Sequence, residues 1–182
     1  LTRAYLPDMH SGQYNQKNCL LLLFEIVLLA CFPPCLYIPM AYKSKYKPQN
    51  PNKYVGKIEN IVCRSTWERK MCKYLDLNEN VISWASEELA IPYFSLVDDK
   101  WHRYYPDFMC KIKNKSGTID KLIIEVKPEK QTKPPKAKKQ TRNYLREMKT
   151  FAINTYKWEA AEKFCTENGW VFKILTEKDL FR

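Results

Sequence analysis

The sequence predicts an α/β fold: a mixed central sheet flanked by helices, in the order helix, three to four strands, helix, strand. Three observations carry this. An amphipathic helical pattern opens at Ser65, and short β-rich runs follow between Val81 and Val126. A long helical pattern from about Gln140 to Thr166 then leads into the apolar stretch Trp170 to Leu175. A sheet whose strands are separated by a long helix is covered by helices, which is the α/β solution.

Each element has its own local chemistry. Ser65-Thr66-Trp67-Glu68 has the form of a capping box, in which the serine and glutamate satisfy the first helical N–H groups. Trp67, Met71, Tyr74 and Leu75 recur at three- and four-residue spacing and give one apolar face, and Asn78-Glu79-Asn80 ends the helix. Strands are expected at Val81–Trp84, Leu89–Leu96, His102–Lys113 and Leu122–Val126, with turns at Val97–Lys100 and Asn114–Gly117. The second helix stops at Asn168-Gly169, glycine being the residue that accepts a left-handed C-cap. Thr176 is placed to cap a short last turn.

Length and composition fit one domain with extensions. The chain has 182 residues, 14% aromatic, and a net charge of +11. In residues 1–39 Arg3 and Lys17 balance Asp8 and Glu25, so the excess positive charge lies in residues 40–182. So basic a chain meets a polyanion. Residues 1–39 read as an apolar leader in which Glu25 and Pro33-Pro34 interrupt a spanning helix, and Met40 reads as the natural start. Residues 40–60 read as a basic, tyrosine-rich extended arm that packs its tyrosines on the body or tracks phosphates, and residues 61–182 as the catalytic-size domain. The seven cysteines form no CxxC pair and read as buried free thiols of a reducing compartment.

The chemistry-bearing residues gather around one hairpin. Glu125 and Lys127 are two apart in a strand and share a face. Pro106-Asp107 stands eighteen residues before Glu125, and a hairpin through Ser116-Gly117 would bring Asp107 beside Glu125 on a neighbouring strand, about 5 Å away. Two carboxylates so close repel unless a cation lies between them. The plain alternatives are a solvated edge aspartate and a surface Glu125–Lys127 ion pair. Glu68 has two readings, the helix cap or a carboxylate aimed at the same metal. His102, an odd number of residues before Asp107, reads as a packed or surface histidine, and Glu87 and Glu88 are acids able to contribute a ligand but are not counted among the site residues.

These words, Glu68, Pro106-Asp107 and Glu125-Val126-Lys127, resemble the PD-(D/E)xK nuclease superfamily. Longer stretches are similar to the phage head completion nucleases: Ser65–Lys70, Asn80–Glu88, Ile91–Tyr93, His102–Phe108, Ile124–Pro128 and Gln131–Pro135. The N-terminal nuclease domain of transposon excision proteins resembles the chain in fewer words. The resemblance implies a restriction-endonuclease-like core and a metal-dependent DNA endonuclease, with exonuclease activity beside it, that trims or processes packaged DNA before head–tail joining. It implies Asp107, Glu125 and the Val126 carbonyl as ligands of Mg²⁺, with Mn²⁺ as a substitute. Glu68 would act through a second metal or a metal-bound water, and Lys127 would handle the attacking water. Lys130, Lys133, Lys136, Lys138, Lys139 and Arg142 would grip the backbone of double-stranded DNA. Partners would be phage head, portal or neck proteins and no membrane, in the virion or the host cytoplasm during assembly. A transposition, repair or restriction nuclease and a non-catalytic DNA-binding connector are the competing readings.

Overall fold

The computed structural model describes residues 43–136 and 139–180. The expectations for residues 1–39, for the start at Met40 and for Lys138 lie outside them. The first strands are short: β1 (Ser44–Lys45) pairs antiparallel with β2 (Val62–Cys63). Helix α1 (Thr66–Leu77) follows, then β3 (Val81–Ser86), β4 (Ile91–Ser95), β5 (Lys100–Tyr104), β6 (Phe108–Lys113) and β7 (Ile119–Val126). Helix α2 (Arg142–Asn168), β8 (Val171–Leu175) and the single turn α3 (Glu177–Leu180) complete the chain.

The central sheet has the order β3-β6-β7-β8, antiparallel across its first two pairs and parallel between β7 and β8. It is the mixed sheet expected, with α2 as the crossover. Strand β7 is buried from Leu122 to Val126 because both of its faces are covered. Leu122, Ile124 and Val126 join Trp84, Phe108, Met71 and Leu75 in the core under α1. Ile123 joins Tyr93, Tyr104, Ala161 and Cys165 in a second core under α2. Glu125, two residues from Ile123, falls on that second side.

One strand differs from expectation. The run His102–Lys113 is not continuous: it ends at Tyr104 and resumes at Phe108. Pro106 has no N–H to give a ladder, so the chain bends there. Strand β5 pairs with β4 in a separate hairpin, whereas β6 enters the central sheet. Asp107 therefore sits in the bend immediately before β6, not inside a strand.

Residues 43–60 pack on the body. The Tyr46 hydroxyl donates to Asp76 Oδ2 at 3.0 Å, and the backbone N–H groups of Gln49 and Asn50 donate to the same carboxylate at 2.7 and 2.9 Å. Tyr54 is buried against Trp84, ring centroids 4.8 Å apart. Tyr46 and Tyr54 thus pack on the body. Cys63, Cys72, Cys110 and Cys165 are buried and free.

Candidate active site

The site is built by register. Phe108 faces Ile124 across the β6–β7 ladder, so one residue further Asp107 faces Glu125. The hairpin that sets this register turns at Asn114–Gly117, where the Asn114 side chain accepts from the N–H groups of Ser116 and Thr118 and Gly117 has φ 83°. Asp107 Oδ2 accepts from the Val126 N–H at 2.7 Å. In an extended strand a residue's N–H and C=O leave on the same side, so the Val126 carbonyl is turned toward the same neighbour.

Glu125 is 4% exposed, which removes the surface-pair alternative. Its two oxygens have separate partners. Oε1 lies 2.9 Å from Lys127 Nζ, as the shared strand face requires. Oε2 accepts from the Tyr104 hydroxyl at 2.6 Å. Burial alone would lower the Lys127 ammonium, yet the Glu125 and Asp107 carboxylates hold its pKa above the ordinary value. Asp107 moves the other way. Burial, followed by the charge of Glu125, raises its carboxyl from 3.8 to about 7, against the opposing pull of Lys127 and the Val126 N–H.

Glu68 fills the capping role in this structure. Its Oε1 accepts from Ser65 Oγ at 2.9 Å, and its Oε2 from the Arg64 N–H at 2.6 Å, while its own N–H donates to Ser65 Oγ at 3.0 Å. That is a capping box reaching one residue beyond the cap. Its charge is nevertheless felt at Asp107 and at Lys127, raising both pKa values. Among the described residues no three His, Cys, Asp or Glu side chains close up into a ready-made metal cage. Glu68 thus stands beside the Asp107–Glu125 pair with its oxygens turned to the helix end.

Two carboxylates, Asp107 and Glu125, are therefore brought together across the ladder, with Lys127 as the ammonium beside them. The donor set is all oxygen, and a carboxyl pushed to about 7 by its neighbour and by burial is one that a divalent cation would return to the ionised form. Hard oxygen donors of this kind fit a cation such as Mg²⁺ or Mn²⁺.

The basic segment after Lys127 is partly tied up in ion pairs. Lys133 and Lys178 both pair with Glu129 at 2.6 Å, and Lys130 reaches Glu147 at 3.4 Å. Lys136, Lys139 and Arg142 are exposed. His102 is partly exposed, bonded to Asp98 at 2.8 Å and stacked on Tyr93, the packed surface histidine expected. Tyr104 was not legible as a site residue. Its only sequence signal is the alternation of β5, which turns Tyr104 inward and its neighbours Arg103 and Tyr105 outward.

Comparison with known proteins agrees with this arrangement. The model of the TnsA-like endonuclease N-terminal family matches residues 78–177, a span that holds Asp107, Glu125 and Lys127 but not Glu68. The head completion nuclease of Enterobacteria phage T4 is 39% identical over 149 residues, covering 78% of this chain and 95% of that protein. No solved structure matches the chain. The mixed sheet, the flanking helices and the register-matched acids accord with these matches, and the chain belongs to the TnsA-like endonuclease family, among the head completion nucleases, with a restriction-endonuclease-like core.

Proposed function

We propose that this chain is a Mg²⁺-dependent DNA endonuclease that processes packaged DNA during phage head completion. The observation that carries the reading is the convergence of Asp107, Glu125 and Lys127 across the β6–β7 ladder, in a chain similar along most of its length to a head completion nuclease. The full-length similarity favours this role over transposition, for which only the nuclease domain itself is shared.

Asp107, Glu125 and the Val126 carbonyl would hold the cation. Once bound it supplies Lewis acidity and a more acidic water at the scissile phosphate. The protein's own part is positioning and charge. Tyr104 and Lys127 each fix one oxygen of Glu125, which sets the direction in which that carboxylate presents its remaining lone pairs. Lys127, kept protonated by the two acids, donates a hydrogen bond to the attacking water or to a phosphate oxygen and offsets charge that builds in the transition state. Glu68 would accept a hydrogen bond from a water of the same site. Lys130, Lys133, Lys136, Lys138, Lys139 and Arg142 lie along the chain just beyond Lys127, and their charge suits sequence-tolerant contacts to DNA phosphates. Phage head or neck proteins are the proposed partners, and the virion or the host cytoplasm during assembly the proposed location.

Supercoiled plasmid tests the reading. The full chain converts it to nicked and linear forms with Mg²⁺ and not with EDTA, and Asp107→Asn and Lys127→Ala lose the activity by at least about a hundredfold. Cleavage that survives in either variant overturns the assignment.

A further inference from the structure

Arg64 stands at the mouth of the site and has no role in the chemistry described above. It precedes the Ser65 cap of α1, and its backbone N–H is pinned by Glu68 Oε2 at 2.6 Å. Its side chain is 57% exposed and is joined to Glu87. Glu87 in turn follows the last residue of β3. Ser86 faces Phe108 across the β3–β6 ladder, so Glu87 leaves β3 at the end of the sheet where Asp107 precedes β6. The Arg64 guanidinium held by Glu87 is thus set at the edge of the cation and phosphate site.

The backbone at Glu87 adds a second observation. Its φ is 55°, one of two positive values at non-glycine positions among the described residues. The other, Asp99, lies in the β4–β5 turn, where this conformation is ordinary. A glutamate rarely adopts it, and such residues gather where a side chain must be aimed. A plain surface ion pair needs no such backbone and contributes little to stability. Glu68 and Asp107 are also close enough to reinforce the Arg64 charge, after the larger effect of Glu87.

We propose that Arg64 clamps the non-bridging oxygens of the scissile phosphodiester, resting on Glu87 in the DNA-free protein and passing to the phosphate when DNA enters. The proposal rests on the nuclease reading above and adds the group that grips the reacting phosphate. Guanidinium suits this exchange because its fork matches carboxylate and phosphate alike. Glu87 then acts as a competitor of DNA, not as a partner in cleavage.

The two residues make opposite predictions. Arg64→Ala lowers the cleavage rate about a hundredfold, and Arg64→Lys recovers only part of it. Glu87→Gln keeps the cleavage rate and binds a fluorescent duplex several-fold more tightly in Ca²⁺, because Arg64 is released to the phosphate. Asp107→Asn is run beside them. If Arg64→Ala cleaves like the wild type while Asp107→Asn is inactive, the clamp is wrong and the nuclease reading stands. If Asp107→Asn cleaves, both fall. Equal losses of activity and melting temperature in Arg64→Ala and Glu87→Gln would mean a structural brace and would also overturn the clamp.

Discussion

Replacing Asp107 by asparagine is expected to stabilise the metal-free protein at alkaline pH. The magnitude follows from the carboxyl's raised pKa. Folding moves it from 3.8 to about 7, through burial and the nearby charge of Glu125. Between those values the folded protein holds a proton that the unfolded chain has released, so this contribution is complete at low pH and is lost as pH rises through 7. The whole difference corresponds to about 4 kcal/mol at most. Solvent reaches the partly exposed side chain and screens the repulsion, which leaves about 2 kcal/mol. Asparagine removes the charge and keeps an oxygen for the Val126 N–H, now 2.7 Å from Oδ2. Thermal unfolding in EDTA reads the effect directly. At pH 8 the Asp107→Asn protein is expected to melt about 4–8 °C above wild type, and at pH 4 within about 1–2 °C of it. Added Mg²⁺ raises the wild-type midpoint at pH 8 and leaves the variant unchanged. An equal gain at both pH values, or a loss at pH 8, would refute the claim that Asp107 is strained by a neighbouring carboxylate.

Other expectations follow from single contacts. Tyr104→Phe removes the 2.6 Å bond to Glu125 and is expected to weaken Mn²⁺ binding about tenfold by calorimetry, with little change in fold by circular dichroism. Asp76→Ala strips a fully buried carboxylate from Tyr46, Gln49 and Asn50 and is expected to cost about 3 kcal/mol or more in urea unfolding, loosening residues 43–60 toward protease. Changing Lys136, Lys139 and Arg142 together to alanine is expected to flatten the slope of log Kd against log salt for duplex DNA by about 2–3. An unchanged slope would place the phosphate contacts elsewhere.

What could be read before the structure was local chemistry. The Ser65–Glu68 box, the Asn114–Gly117 turn and the Gly169 cap are each decided by a few adjacent residues, and each formed where the sequence placed it. The turn then fixed the β6–β7 register and with it the Asp107–Glu125 pairing. The break at Pro106 was harder, because alternation runs unbroken from His102 to Lys113 and only the missing N–H of one residue marks the split. Tyr104 was not readable at all. It reaches Glu125 only because β5 leaves the main sheet and folds over the second side of β7, a placement that depends on α2 packing against β4. Glu68 carried two readings in sequence, and the contacts show the cap: its oxygens close the helix, while its charge is felt at Asp107. The tyrosines of residues 43–60 resembled a tail by composition, but a buried Asp76 twenty-six or more residues away gives them an anchor.

Asp107 and Glu125 are expected to share one divalent cation. A crystal of the full chain soaked in Mn²⁺ tests this by anomalous scattering. A peak is expected about 2.0–2.3 Å from an oxygen of each carboxylate and from the Val126 carbonyl, absent in Asp107→Asn crystals. A fully occupied Mn²⁺ bound elsewhere, with the two carboxylates bare, would contradict it.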